Sequence, residues 1–172
     1  MKDLGRKIMI IGSGGSGKST LAKELHKITG LPLIHLDKEF WNTGWVKTPR
    51  EEWIKKQEAL VSAPEWILDG NYLNTLYVRL KQADTVIYLD FNRFVSTYRI
   101  ILRRIKYRNK TRPDLPEDCP EKIDYPFLKW VWTFNRKVRP RMLQILSEFP
   151  TPTQIILKSP REARAFINKI KK

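Results

Sequence analysis

Eight residues near the amino end carry the most specific chemistry in this sequence. Gly12-Ser13-Gly14-Gly15-Ser16-Gly17-Lys18-Ser19 satisfies the pattern G-x-x-x-x-G-K-[ST] at every fixed position. Each residue type has a physical reason. Glycines reach backbone angles that turn successive N–H groups inward around phosphate oxygens. A helix opening at Lys18 adds the partial positive charge of its amino end. Lys18 reaches the β- and γ-phosphates of a nucleotide, and the hydroxyl of Ser19, with Thr20 next in the chain, offers oxygen to Mg²⁺. The pattern implies ATP and Mg²⁺ as cofactors.

A Mg²⁺ nucleotide site also needs an acid near the metal. Asp69 and Asp90 both end apolar runs, and Asp37 follows one. Asp90 has the better hydrophobic lead-in, from Val86 to Leu89, with helix capping as its competing role. Asp69 precedes Gly70, which lets backbone approach a ligand, although Asp-Gly is also an ordinary turn pair. Asp37 sits where an acceptor hydroxyl approaches, and a carboxylate within hydrogen-bond reach can act as its base. Trp41 and Trp45 either stack on a substrate ring or pack on the next helix. His35, in a strand, reads as structural.

Between Arg93 and Arg112 stand eight basic residues and no acid. On helical spacing, Tyr98, Ile101, Leu102 and Ile105 form an apolar stripe, and Arg99, Arg103, Lys106 and Lys110 form a basic one. The basic stripe closes over a transferring phosphate, contacts nucleic acid, or is a solvated face. Arg136, Arg139 and Arg141 are further candidates for the same phosphates.

These residues need elements to position them. Residues 7–11 are an apolar run with little polar alternation, which suits a central strand of a parallel sheet. Further strands are expected at 33–36, 66–68, 85–89 and 154–157. Helices are expected at 18–29, where Gly30 ends the run, and at 49–61, 73–82, 93–109 and 126–147, bent at Pro140. A closing helix starts at the capping box Ser159-Pro160-Arg161-Glu162, and Thr48-Pro49-Arg50-Glu51 is a second such box. Residues 37–47 and 110–124 read as loops. Strand and helix alternate five times, which implies an α/β fold. Its parallel sheet has right-handed crossovers, helices on both faces, and ligands at the carboxyl ends of its strands. The expectation is one domain over 1–172, with a substrate-side insertion at 37–62 and a lid at 108–124.

The whole chain supports that frame. At 172 residues, 41% hydrophobic and 30% charged, it has the composition of one globular domain. A single cysteine, Cys119, excludes a disulfide framework, and with only His26 and His35 beside it a His/Cys metal cage is not expected. No apolar run approaches the roughly 18 residues of a membrane span, and the first residues run straight into a strand without room for a signal peptide. A cytoplasmic protein without a membrane partner is expected. The net charge of +15 favours polyanionic partners, whether nucleotides, nucleic acid or an anionic membrane surface, or is an excess of solvated lysines. No helix-turn-helix or zinc finger is present, so any DNA binding is expected to be weak, electrostatic and non-specific.

The order of P-loop, helix, short strand, substrate-side helix, strand ending Asp69-Gly70, and basic helix into a lid resembles the nucleoside monophosphate kinase group. That resemblance implies a three-layer fold with strand order 2-3-1-4-5. It also places the acid of the Asp-Gly pair near Mg²⁺, favouring Asp69 over Asp90. Tyr98 to Arg104 resembles the arginine-bearing helix of adenylate kinases. This implies that Arg99 packs on adenine and Arg103 contacts phosphate. Adenylate kinases follow Asp-Gly with an aromatic, a proline and an arginine. Here Asn71 and Tyr72 follow, and the first arginine is Arg79. With Asp37, Trp41 and Trp45, these three are the substrate-side candidates.

Over nearly its whole length the sequence also resembles the bacterial DNA topology modulation proteins. The likeness rests on Leu36-Asp37 with Trp41 and Trp45, on Trp66 to Tyr72, on Thr111-Arg112-Pro113-Asp114, and on Cys119-Pro120-Glu121. The family's name implies an effect on DNA supercoiling, and its sequence features imply an adenylate-kinase-like phosphotransferase. The leading expectation is a Mg²⁺-ATP-dependent kinase using Lys18, Ser19, Asp69, Arg99 and Arg103 on a phosphate-accepting small molecule. Two other readings stand beside it: a nucleotide-regulated DNA-binding protein, and a small-metabolite kinase with Asp37 as base.

Overall fold

In strand β1, Lys7–Gly12, alternate side chains enter two different cores. Met9 and Ile11 join Trp66, Leu68, Val86 and Tyr88 on one face of the sheet, whereas Ile8 and Ile10 join Ile67, Ile87 and Leu89 on the other. Both sets are buried, so the strand reads as continuously apolar, as a doubly covered parallel strand must. The computed structural model describes residues 4–108, 114–116, 119–120 and 124–171.

Five parallel strands form the sheet: β1, β2 (Leu33–His35), β3 (Trp66–Asp69), β4 (Thr85–Leu89) and β5 (Thr153–Leu157). Their spatial order is β2-β3-β1-β4-β5, the expected 2-3-1-4-5. The register pairs His35 with Asp69, Ile10 with Asp69, and Gly12 with Leu89, so the carboxyl ends form one edge. Everything expected to bind ligand hangs from that edge.

Helix α1, Lys18–Thr29, and the last helix, α8 (Pro160–Ile170), cover one face. Between them in the chain lie α2 (Leu36–Phe40), α3 (Arg50–Ser62), α4 (Leu76–Leu80), α5 (Arg93–Lys106), α6 (Tyr125–Lys137) and α7 (Arg139–Glu148). Gly30 ends α1 in a left-handed conformation, its N–H donating to His26 O. The box at α8 forms: Glu162 N donates to Ser159 Oγ at 3.2 Å, and the Glu162 carboxylate accepts from Lys158 N at 2.8 Å.

Four expectations need correction. Thr48 does not cap α3; its hydroxyl donates to Phe40 O at 2.5 Å. That bond closes a segment which is not loop. After α2, residues Trp41–Asn42 pair antiparallel with Val46–Lys47 around a tight turn, where Gly44 and Trp45 take positive φ of 73° and 66°. The helix expected over 126–147 is two helices, broken at Val138, with Pro140 in the first turn of α7, where its missing N–H costs nothing. The apolar stripe of α5 does not face the core. Tyr98 is 63% and Ile105 68% exposed, while Ser96 and Ile100 are the buried residues. The expected lid falls largely outside the described residues, as do Lys110 and Arg112.

Asp90, the rival metal acid, makes a contact within the fold. Arg139 Nε donates to both its oxygens, at 2.8 and 2.9 Å, joining the end of β4 to α7. The hydrogen bond raises the arginine's pKa, and burial opposes it. Replacement of Asp90 by Asn should lower stability by about 1–2 kcal/mol, read as a Tm drop of several degrees, and leave ATP affinity within a few-fold.

Candidate nucleotide and acceptor site

A cleft of about 1240 Å³ opens along the carboxyl edge of the sheet. Its floor is the glycine loop. Gly15 has φ 74°, and a Cβ there would lie 2.3 Å from the Ser96 carbonyl oxygen, so the loop and α5 approach closely because the residue is glycine. Ser16 N donates to Ser13 O at 3.2 Å, and Lys18 Nζ folds back to Ser13 O at 3.1 Å. Gly14 to Thr20 all line the cleft; Gly12 and Ser13 lie behind them, and Ser13 is buried.

Strand β3 delivers the next group. Asp69 is buried and lines the cleft. The register that sets β2 beside β3 brings His35 Nδ1 within 2.9 Å of Asp69 Oδ2. Asp69 Oδ1 is buried without a hydrogen-bond partner among the described residues. That orphaned oxygen and the Ser19 hydroxyl are hard ligands of the type Mg²⁺ takes, directly or through water. Among the described residues no three His, Cys, Asp or Glu side chains gather around a cation site. Mg²⁺ at nucleotide sites is held by one or two protein oxygens together with phosphates and waters, so this donor set fits it.

The residues after Asp69 tie the two ends of the cleft together. Gly70 has φ 151°, and a Cβ there would meet Leu36 Cβ at 2.8 Å. Asn71 Oδ1 accepts from Gly12 N at 2.8 Å, and Asn71 Nδ2 donates to Gly12 O at 2.5 Å, so one amide holds both polar groups of the residue that opens the P-loop. The Tyr72 hydroxyl donates to Asp37 Oδ1 at 2.7 Å. Burial, then the Asp37 charge and hydrogen bond, push the Tyr72 phenol far above its usual pKa, so it remains a proton donor.

Arg79 is expected among substrate residues, but the structure places it beneath this loop. It is completely buried and absent from the cleft lining. Nη1 donates to Gly70 O at 2.7 Å, and Nη2 donates to Asn71 O and reaches Tyr72 O at 3.5 Å. Burial pushes its pKa down to about 9, with Tyr72 and Asp69 opposing the shift. Arg79 thus shapes the loop that carries Asp69, Asn71 and Tyr72. Asn71 likewise serves the P-loop.

Asp37, Trp41, Trp45, Lys47 and Tyr72 line the far end of the cleft. Trp41 and Trp45 meet edge to face at 5.2 Å. It is Phe40, not either of these, that contacts Trp53 of α3, at 5.1 Å.

The near end is basic. Arg99 Nη1 donates to Ser16 O at 3.1 Å, and its guanidinium lies 5.8 Å from the Phe91 ring. Burial and then the Arg164 charge lower its pKa. Arg103 and Lys106 line the cleft beside it.

Two residues here escaped sequence reasoning. Asp114, buried, accepts from Ser19 Oγ at 3.1 Å; it was visible only as one letter of the 111–114 motif. Arg164 of α8 also lines the cleft. No local pattern marks it, because it arrives through the position of α8 against α1.

No family model matches this sequence, and no curated protein matches it. Among solved structures, the shikimate kinase from Acinetobacter baumannii, in complex with shikimate, matches with a TM-score of 0.60 at 16% identity. The match covers 96% of this chain and 90% of that one. The chain has the P-loop kinase-like fold. An unliganded sugar kinase from Janibacter sp. HTCC2649 matches more loosely, with a TM-score of 0.48 at 16% identity over 97% of this chain and 90% of that one. Within a P-loop kinase-like fold, the Gly12–Asn71 clamp fixes where the phosphate loop begins. Asn71→Ala removes two hydrogen bonds of about 1 kcal/mol each, and should weaken ATP binding by roughly tenfold in calorimetry, with smaller loss of Tm than Arg79→Met.

Proposed function

We propose that this protein is a Mg²⁺-ATP-dependent phosphotransferase acting on a small hydroxyl compound. The observation that carries the reading is the cleft itself. A P-loop, the orphaned oxygen of Asp69 and two arginines of α5 converge at one end, and a carboxylate lies at the other.

In this reading the loop N–H groups and Lys18 bind the β- and γ-phosphates, with Lys18 turning from Ser13 O toward them. Ser19 and, through water, Asp69 would hold Mg²⁺, which would supply neutralisation of the phosphate charge. Ser19 exchanges its contact with Asp114 for that role. His35, donating to Asp69 Oδ2, keeps the carboxylate from turning. Arg99 and Arg103 stabilise the charge that develops on the transferring group, a role of about 10³–10⁵ in rate for such arginines. The protein otherwise supplies position and exclusion of water, because phosphoryl transfer needs little covalent help.

Asp37 as base for an acceptor hydroxyl is the favoured form of this function. Its support is the Tyr72 hydrogen bond, which orients the carboxylate at the cleft. The DNA-binding reading draws on the same basic helix, yet Arg99 is turned onto Ser16 and Arg103 lines the cleft, where a nucleotide competes for both. The likeness to DNA topology modulation proteins rests on the motifs quoted above.

Lys18→Ala should weaken ATP binding by about 100-fold or more in calorimetry, and equal affinity would remove the nucleotide assignment. Asp69→Asn should lower Mg²⁺-dependent turnover by about 10²–10³, against a few-fold for Asp90→Asn. The reverse order would mean that the metal lies on the β4 side.

A further inference from the structure

Helix α5 carries more apolar surface than the core takes up. Ser96 and Ile100 are its buried residues. Phe94, Tyr98, Ile101 and Ile105, at spacings of four, three and four, form a stripe on another side, with Leu102 beside it, and all five are exposed. Arg99 and Arg103 line the cleft, and none of these five does. Helix α6 packs beside α5 and repeats the spacing with Tyr125, Lys129, Trp132 and Arg136, all exposed. The two stripes meet where Phe94 and Trp132 stand edge to face at 5.2 Å. The described part of the connection between the two helices turns toward the cleft. Asp114 and Leu115 line it, and Cys119 donates to Asn42 O of the hairpin at 3.5 Å.

The two helices bring charge of one sign to this face. Neither 93–112 nor 125–141 contains an acid. The Arg93 guanidinium lies 4.6 Å from the centre of the Trp132 ring and 5.2 Å from that of Phe94, and Lys129 Nζ lies 5.8 Å from that of Tyr125. Several occupants fit such a face poorly. A second copy docked by two-fold symmetry would set its arginines and lysines against their own kind. A nucleic-acid base needs an open ring to stack on, yet Arg93 covers Trp132 and Phe94, and Ile101, Leu102 and Ile105 offer no ring. A protein helix docks into a groove, whereas these side chains lie outside the cleft on two helices packed side by side. Aliphatic side chains beside Tyr and Trp, with Arg and Lys among them, are the composition by which amphipathic helices settle in the interface of an anionic bilayer.

We propose that α5 and α6 form a docking face for an anionic lipid bilayer. The stripe from Phe94 to Ile105 enters the boundary between headgroups and acyl chains, and Arg93, Lys129 and Arg136 meet lipid phosphates. The proposal stands apart from the phosphotransferase reading, because none of these residues lines the cleft. It revises the expectation of no membrane partner, which rested on the lack of a spanning run. Among the described residues no helix is long and apolar enough to cross a membrane, and an interfacial face needs none. Arg99 and Arg103 stay on the cleft side of α5, so a docked protein can hold a nucleotide at the same time.

Co-sedimentation of the full chain with vesicles tests the proposal. Vesicles of equimolar phosphatidylcholine and phosphatidylglycerol should bind about tenfold or more tighter than vesicles of phosphatidylcholine alone. The double variant Ile101→Ser, Ile105→Ser should lose about tenfold or more of that affinity with its Tm nearly unchanged, because both side chains are exposed. Lys129→Gln should lose about fivefold, against about twofold or less for Arg161→Gln, which removes the same charge from the exposed start of α8. A non-hydrolysable ATP analogue with Mg²⁺ should leave vesicle binding unchanged. Equal losses in Lys129→Gln and Arg161→Gln would assign the attraction to net charge, and displacement by the analogue would assign it to the cleft arginines. Either result overturns the proposal, as does wild-type protein that binds neither vesicle. It is also overturned if the double variant keeps its vesicle affinity but loses self-association in ultracentrifugation, or binding to an oligothymidylate, because the face then belongs to a second copy or to a nucleic acid.

Discussion

The site depends on one buried charge. Carbonyl oxygens of Gly70, Asn71 and Tyr72, not a carboxylate, receive the Arg79 guanidinium among the described residues. Removing a cation from water costs several kcal/mol unless its donors are satisfied, so the backbone must curl around it. The left-handed φ of 42° at Tyr72 is one result of that curl. Three side chains then leave a short segment in different directions. Asp69 lines the cleft, Asn71 grips Gly12, and Tyr72 reaches Asp37. A single loop therefore sets the spacing of Asp69, the P-loop and Asp37, and in the proposed phosphotransfer that spacing would fix the approach of donor and acceptor.

The charge of the chain gains meaning from this arrangement. A net +15 is a general attraction for polyanions. Around the P-loop it becomes specific, with Arg99 anchored on Ser16 O and Arg164 close enough to lower its pKa. Two guanidinium groups held together in a cleft favour an anion between them. The eleven residues from Asp37 to the end of the hairpin at Lys47 bring Trp41 and Trp45 to the lining of the same cleft. The cleft thus brings basic and aromatic side chains together in one lining.

How much of this was legible depended on the range of each interaction. The P-loop was readable because its chemistry needs eight consecutive residues, and the sheet because doubly buried strands are written as apolar runs. The choice between Asp69 and Asp90 was not local. Asp90 pairs with Arg139, 49 positions away, and does not line the cleft. The pattern of α5 said that its faces differ but not which one is covered. Ile100 and Ser96 lie inward because Gly15 brings the P-loop against the Ser96 carbonyl. The hairpin around Trp41 and Trp45 has two-residue strands, too short for any periodicity. The contact of Ser19 with Asp114 spans 95 positions. Arg79 misled for a physical reason: an arginine after an Asp-Gly turn looks like a substrate cation, and only burial shows that it builds the loop.

The central claim is that residues 69–72 hold the metal acid against the P-loop. A crystal structure with Mn²⁺ and a non-hydrolysable ATP analogue, read by anomalous scattering, tests it most directly. The account predicts one Mn²⁺ peak on Ser19 Oγ, bridging β- and γ-phosphates, with a water between it and Asp69, and with the Asn71–Gly12 hydrogen bonds intact. A peak beside Asp90, or phosphates outside the loop from Gly12 to Ser19, would contradict it.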